Sequence, residues 1–366
     1  IEFLQASKPH LRSGAVYNRK EIEMKEFAKF QGSQPILRVF MVLAIAFIFV
    51  ISTSTMSLAA MELKFHHDLP EDSAQHLAAE KFKTAVESKT NGEIMVKLFP
   101  SNALGNDVEA TQQMQFGAIQ GGIIPTAKLS NFVPSLQLID LPFLFPSPAV
   151  THKVLDSKTG DRLLATLDKS GLKGVTFWES GFKQFTCNHP IEKPSDFKGY
   201  KVRVMQSPII MEQFKSLGAN PVPISFGETY NALQQNVVEC QENPLVSITK
   251  MKFYEVQSNM IISNHAYLGY AFVYSKKWFD GLKPEYQKIL VEEARAVTAF
   301  EREETARREA GYVKTIKESG TTVTQLTPAQ LVKFQEATRP VHKQFAKDIG
   351  QDLLDAFYQE IEKANK

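Results

Sequence analysis

The sequence predicts an α/β protein, because short apolar stretches alternate with amphipathic ones through two successive cycles before a nearly Pro-free helical stretch begins. In the first cycle MELKFHH, from Met61, reads as a strand, and DSAQHLAAEKFKTAVESKTNG reads as a helix opened by Asp72 or Ser73 and stopped at Asn91-Gly92. GEIMVKLFP is the next strand, EATQQMQFGAIQ the next helix and GGIIPTA a third strand. Alternation on this scale predicts a mostly parallel sheet. KGVTFWES and GFKQFTCN continue as strands split at Gly181.

The second cycle repeats the plan. GYKVRVMQ reads as a strand, SPIIMEQFKSLGA as a helix ended by Gly218, NPVPIS as a strand and SFGETYNALQQNVVE as a helix leading to a short strand and a loop at Gln241-Glu242-Asn243-Pro244. NMIISNHAYLGYAFVYSKKWF reads as one extended strand passing through both cycles, as a connection between two domains does. From Pro284 to Glu318 the pattern is helical, with Glu292/Arg295, Glu303/Arg307 and Glu304/Arg308 spaced for exposed ion pairs. A helix of that length reaches about 50 Å, enough to cross two domains. After Gly320, TTVTQL reads as a strand, Thr327-Pro328 as a helix start, and the tail to Lys366 as one or two amphipathic helices.

At 366 residues with 43% hydrophobic content, two domains are the natural expectation. The net charge of +2 sits at the front: residues 1–60 hold seven of the 42 basic residues and four of the 40 acidic ones, leaving 61–366 at net −1. Without a basic field, nucleic-acid binding is excluded as a function class. The apolar run Val39–Ile51 follows Lys25, Lys29 and Arg38 and ends in STSTMSLAA, the pattern of a secretory signal peptide cut after Ala59. It falls short of the roughly 20 residues that span a bilayer. No cysteine follows it closely, which excludes a lipid anchor there, and residues before Met24 read as upstream sequence. The expected location is the periplasm.

Cys187 and Cys240 are expected to be buried free thiols, since two cysteines do not make a disulfide framework. No phosphate loop, HExxH, CxxC or GxSxG motif occurs, and His66-His67 lacks zinc-ligand spacing. The reading is therefore of a protein without cofactor or metal, and not an enzyme. Arg203, between Val202 and Val204, is a cation in an apolar strand and needs a charged partner.

Several blocks carry a resemblance: LKFHHDLPEDSAQH, EKFKTAVESKTNGEIMVKLFPSNALGN, IDLPFLF, FKGYKVRVMQSP, LGANPVPISFGETYNALQQNVVECQENPL, KFYEVQ and SNHAY, in this order between residues 63 and 267. The chain resembles the DctP-type substrate-binding proteins of tripartite ATP-independent periplasmic (TRAP) transporters. The resemblance implies a two-lobed periplasmic-binding-protein clamp with a long helix spanning both lobes: residues 61–182 plus 269–308 as lobe I, and 183–268 plus 309–366 as lobe II, behind residues 1–60. It further implies a monomer that captures a small organic acid, mono- or dicarboxylate, by hinge closure and delivers it to a small and a large membrane subunit. The alternatives are a binding protein of an ATP-driven importer or of a sensor kinase.

The resemblance also assigns residues. Arg203 takes the position of the arginine that salt-bridges the ligand carboxylate, a role its planar, bidentate fork suits. Asn243 matches an asparagine that hydrogen-bonds the same group, Phe226 an aromatic over the ligand's apolar body, and Gln206 borders the cleft. Lys183 stands where the family commonly has a second arginine, and Glu239-Cys240 where Asp-Gly is usual. His67, Trp178 and Glu179 fall at places of variable contacts to the ligand's far end.

Overall fold

A computed structural model describes residues 60–366 of the chain; the apolar run Val39–Ile51 and the segment before Met24 lie outside the described residues. The first cycle forms β1 (Met61–His66), α1 (Ala74–Lys89), β2 (Ile94–Phe99), α2 (Asp107–Phe116) and β3 (Gly121–Pro125), with β1 parallel to both neighbours. Ser73, rather than Asp72, caps α1 by accepting from the His76 N–H. Asn106 caps α2 in a reciprocal box with Glu109.

Between β3 and the next strand lie α3 (Thr126–Leu129), a 3-10 turn (Pro134–Asp140), α4 (Pro148–Leu155) and α5 (Lys158–Ala165). These elements are too short for a helical period to emerge in the sequence. Then β4 (Leu172–Cys187) runs unbroken through Gly181, where a bulge at φ +94° keeps its ladder to the partner strand. A residue with a Cβ would be strained there.

The second cycle forms β5 (Lys201–Val204), α6 (Pro208–Ser216), β6 (Asn220–Pro223), α7 (Thr229–Gln234), β7 (Cys240–Pro244), α8 (Leu245–Lys250) and β8 (Asn259–Ile262). α7 is shorter than its pattern suggests, and Asn236 at φ +54° lies just beyond it. The expected single strand from Asn259 is two: β8 ends before Ser263, Asn264 adopts φ +44°, and β9 (Tyr267–Ser275) resumes in the other sheet. The Gln184 carboxamide holds this break, accepting from the Ser263 and Asn264 amides and donating to the Asn264 side chain.

After α9 (Lys276–Asp280) the long helix is α10 (Pro284–Ala296) and α11 (Thr298–Glu318), interrupted only at Val297. Its surface pairing differs from the simple spacing. Arg295 reaches Asp161 rather than Glu292, while Glu304 binds both Arg307 and Arg308. β10 (Thr322–Gln325) pairs parallel with β8. Thr327 and Gln330 form a capping box at the start of α12 (Pro328–Ile349), and α13 (Gln351–Ala364) ends the chain.

The strand order is β2-β1-β3-β9-β4-β7-β5-β6, with β8 on β4 and β10 on β8. Strands belonging to one cycle run parallel, whereas β4 and β9 run antiparallel to their neighbours, so the sheet is mixed rather than mostly parallel. The cause is that β4 and β9 serve both halves: each crosses from one cycle toward the other. Phe65, Phe82, Trp178 and Phe272 centre the first core, and Phe185, Phe197, Phe214 and Phe334 the second. α12 packs on α6, but α13 buries Leu353, Leu354 and Phe357 and packs on α4 and α5. The C-terminal helix therefore packs against helices that precede β4, whereas the boundaries expected from the sequence group 309–366 with 183–268.

The cysteine expectation is overturned. Cys187 and Cys240 sit opposite each other on β4 and β7, with Cα atoms 4.1 Å apart, and are bonded; no free cysteine remains among the described residues. Sequence separation hid what strand register creates.

Candidate functional site

β1, β3, β5 and β7 end at His66, Pro125, Val204 and Pro244, and the residues at and just beyond these ends converge. The carboxyl ends of strands are where α/β sheets bind ligands, since loops there vary without disturbing the ladder. The two cycles touch across this region. The Asn131 side chain donates to the Gln206 carbonyl at 2.6 Å, and the Lys128 ammonium lies 5.7 Å from the Phe226 ring centre.

Arg203 is wholly buried on β5. Its Nε and Nη2 donate to the Ile224 carbonyl at 3.0 and 2.8 Å, which fixes the plane of the guanidinium, while Nη1 has no partner among the described residues. Burial pulls its pKa down to about 10, against Glu242, Asp68 and Asp107, so it stays charged at neutral pH. Asn243 is buried on β7 and donates to Gln241 Oε1 at 2.6 Å. Phe226 is buried edge-on to Phe253.

Lys183, on β4, is equally buried, but its ammonium lies 3.6 Å from Asp140 and 3.3 Å from Glu242. Burial raises Asp140 to about 6 despite Lys183. For Glu242, burial opposes ionisation, yet Lys183, His265 and Arg203 together carry its pKa below the ordinary value. Burial keeps His265, 3.4 Å from Glu242, below its ordinary value although that carboxylate opposes the shift.

On the first-cycle side Lys128 is bonded to Asp107 and stands 3.8 Å from Asp68. Asp107 also meets His66 at 3.3 Å; burial resists its ionisation, but Lys128 and His66 hold its pKa down. Asp68 accepts from the Tyr270 hydroxyl at 2.9 Å and is raised to about 6 by burial and then by Asp107. His67 contacts His76 at 3.0 Å, and burial pushes its pKa down to about 3, so it is neutral.

A model of the bacterial extracellular solute-binding proteins, family 7, matches residues 65–348. The chain belongs to this family. It is 36% identical over 307 residues to the 2,3-diketo-L-gulonate-binding periplasmic protein YiaO of Escherichia coli, covering 83% of this chain and 93% of that one. Among solved structures, the sugar acid binding protein of Advenella mimigardefordensis in complex with galactonate superposes with a TM-score of 0.81 at 33% identity, over 83% of this chain and 99% of the other. A TRAP periplasmic solute binding protein from Sulfurospirillum deleyianum with bound succinate gives 0.78 at 34%, over 82% and 99%. The fold is thus the two-lobed α/β architecture of this solute-binding family.

Within this solute-binding protein the structure sorts the expected residues. Arg203, Asn243, Phe226 and Lys183 come together, and His67 lies beside the Asp107 group at the same strand ends. Gln206 is half-buried and contributes its backbone carbonyl to the contact between the two cycles. Trp178 is instead a core residue, packed edge-on to Phe272. Glu179 also turns away from the cleft. Its carboxylate accepts from Tyr267 at 2.6 Å and meets His152 at 2.9 Å, and its N–H donates to Glu301 on the long helix.

Sequence reasoning missed Lys128, Asp107, Asp140 and Glu242. Two of them carried a usable signal, because Lys128 and Asp140 interrupt the apolar stretches GGIIPTAKL and LQLIDLPF. Ser207 was missed as well: it stands at the N-terminus of α6, and its buried hydroxyl has no partner among the described residues. A separate groove of about 1080 Å³ between α12 and α13, lined by Phe143, Arg339, His342, Lys343 and Tyr358 among others, contains none of the cleft residues. No helix among the described residues is long and apolar enough to cross a membrane.

Proposed function

We propose that this protein is an exported, periplasmic binding component that captures a small organic acid between its lobes and delivers it to the small and large membrane subunits of a TRAP transporter. Arg203 carries the reading: a buried, charged guanidinium with its plane fixed and one N–H face uncommitted is a seat for a carboxylate. On this reading Asn243 and the Ser207 hydroxyl, which is buried without a partner among the described residues, supply further polar contacts, and Phe226 covers the ligand's carbon chain. The lobes are residues 61–182 with 269–308, and 183–268 with the stretch from 309 through α12; α13 goes with the first.

Closure about the crossing strands expels water, and the lower effective dielectric strengthens the pairing. Relatives whose names record 2,3-diketo-L-gulonate, galactonate and succinate support the ligand class. Calorimetry of Arg203→Ala against organic acids is the test. We expect a loss of about 3 kcal/mol or more in binding, because the ligand anion loses its charged partner in a desolvated site. Binding as tight as that of the unsubstituted protein would overturn the assignment.

A further inference from the structure

We infer that the cleft selects an acid with one carboxylate and several hydroxyl groups, a sugar-acid anion of the aldonate type, over a dicarboxylate. The inference rests on the organic-acid reading and names the chemistry of the same site.

Among the described residues, three cations are buried around the cleft: Arg203, Lys128 and Lys183. A second carboxylate in a desolvated cleft is best met by a second free cation. Lys128 is committed to Asp107 and Asp68, and Lys183 lies between Asp140 at 3.6 Å and Glu242 at 3.3 Å. Of these three, Arg203 alone has no carboxylate within ion-pair distance among the described residues, and its Nη1 is buried without a hydrogen-bond partner. Four acidic groups thus face three cations before any ligand enters. A first carboxylate on Arg203 pairs with a free cation; a second one meets carboxylates whose cations are already engaged.

What surrounds Arg203 at a distance is rich in acceptors. Asp140 Oδ1, facing Lys183, is buried without a hydrogen-bond partner among the described residues, and Asp68, Asp107 and Glu242 are carboxylates within electrostatic reach of the guanidinium. Hydroxyl groups donate to such acceptors without adding charge, so a polyhydroxy chain satisfies the far end that a second anion would repel. A lysine at 183 fits the same picture. An ammonium is a compact charge that two carboxylates can enclose, whereas an arginine fork would extend further toward a ligand.

The experiment is a calorimetric comparison of D-galactonate with succinate on the mature chain, followed by the same pair on Asp140→Asn and Glu242→Gln, each of which strips one partner from Lys183. We expect galactonate to bind the unsubstituted protein about a hundredfold more tightly than succinate, and either variant to move that ratio about tenfold toward succinate by freeing the ammonium. Succinate binding as tightly as galactonate, or a ratio unmoved in a variant that still binds galactonate, would overturn the inference while leaving organic-acid capture intact. Failure of every carboxylate tried would instead overturn organic-acid capture itself, and this inference with it.

Discussion

Lys128 and Arg203 stand on opposite sides of the same cleft, both buried and both charged, yet they are built to different ends. Lys128 is saturated: Asp107 and Asp68 surround it, and His66 and Tyr270 satisfy the carboxylates in turn. Arg203 is steadied through one carbonyl and left with an open face. The contrast teaches that burial of charge alone does not mark a binding residue. A buried ion whose partners are internal supports the frame, whereas one without a carboxylate partner is, on the proposed reading, the seat of the ligand.

The sharpest way to break this contrast is to remove each charge in turn. Lys128→Met should lower unfolding stability by about 3–5 kcal/mol, since two buried carboxylates lose their cation. Arg203→Met should cost less, about 1–2 kcal/mol, while abolishing ligand binding, because the Ile224 carbonyl loses its donors but no carboxylate within ion-pair distance is stranded. Urea denaturation of both variants, with and without galactonate, reads the difference; equal stability losses would dissolve the distinction.

A smaller effect separates the two sides by covalent chemistry. The Cys187–Cys240 bond ties β4 to the strand that carries Glu242 and Asn243, and the first side has no counterpart among the described residues. Replacing both cysteines with alanine should lower stability by about 2–4 kcal/mol. Hydrogen exchange should speed first in β5 and β7 and leave β1 protected; uniform acceleration would argue against a local staple.

The smallest expected effect is on pH. Asp68 and Asp140 are raised to about 6 by burial. Their contribution to stability is therefore fullest below the ordinary carboxylate range and is lost as pH rises through about 6. A bound anion raises both pKa values further, so binding takes up protons, and affinity should fall about tenfold between roughly pH 5.5 and 7.5. Titrations in buffers of different ionisation enthalpy would expose the uptake, and a flat profile would place the ligand's charge away from these groups.

Much of the frame was legible because it obeys simple periods. The 3.6-residue pattern of Ala74–Lys89 and the apolar run of β3 are local properties, and the structure follows them. The segment 126–165 was not legible, since its helical pieces take their stability from the sheet they cover rather than from their own pattern. For the candidate site, the family resemblance points to Arg203 and Lys183, but nothing local says which is free. That answer depends on Asp140 and Glu242, brought to Lys183 from distant parts of the chain. Likewise Trp178 and Glu179 sit where a ligand contact was expected, yet their side chains turn to the core and to the long helix.

The two crossing strands have a mechanical consequence. β4 bends at its bulge beside Gly181, β9 begins after the break held by Gln184, and the pair stays hydrogen-bonded from Leu172 to Phe182. Two threads sewn side by side permit a book to open but not its covers to slide. For the proposed closure, swinging about the line through Gly181 and Asn264 would ask less of this ladder than shear along the strands, which would break its rungs. The lobes would then share one easy angular coordinate, and a ligand leaving the proposed cleft one exit.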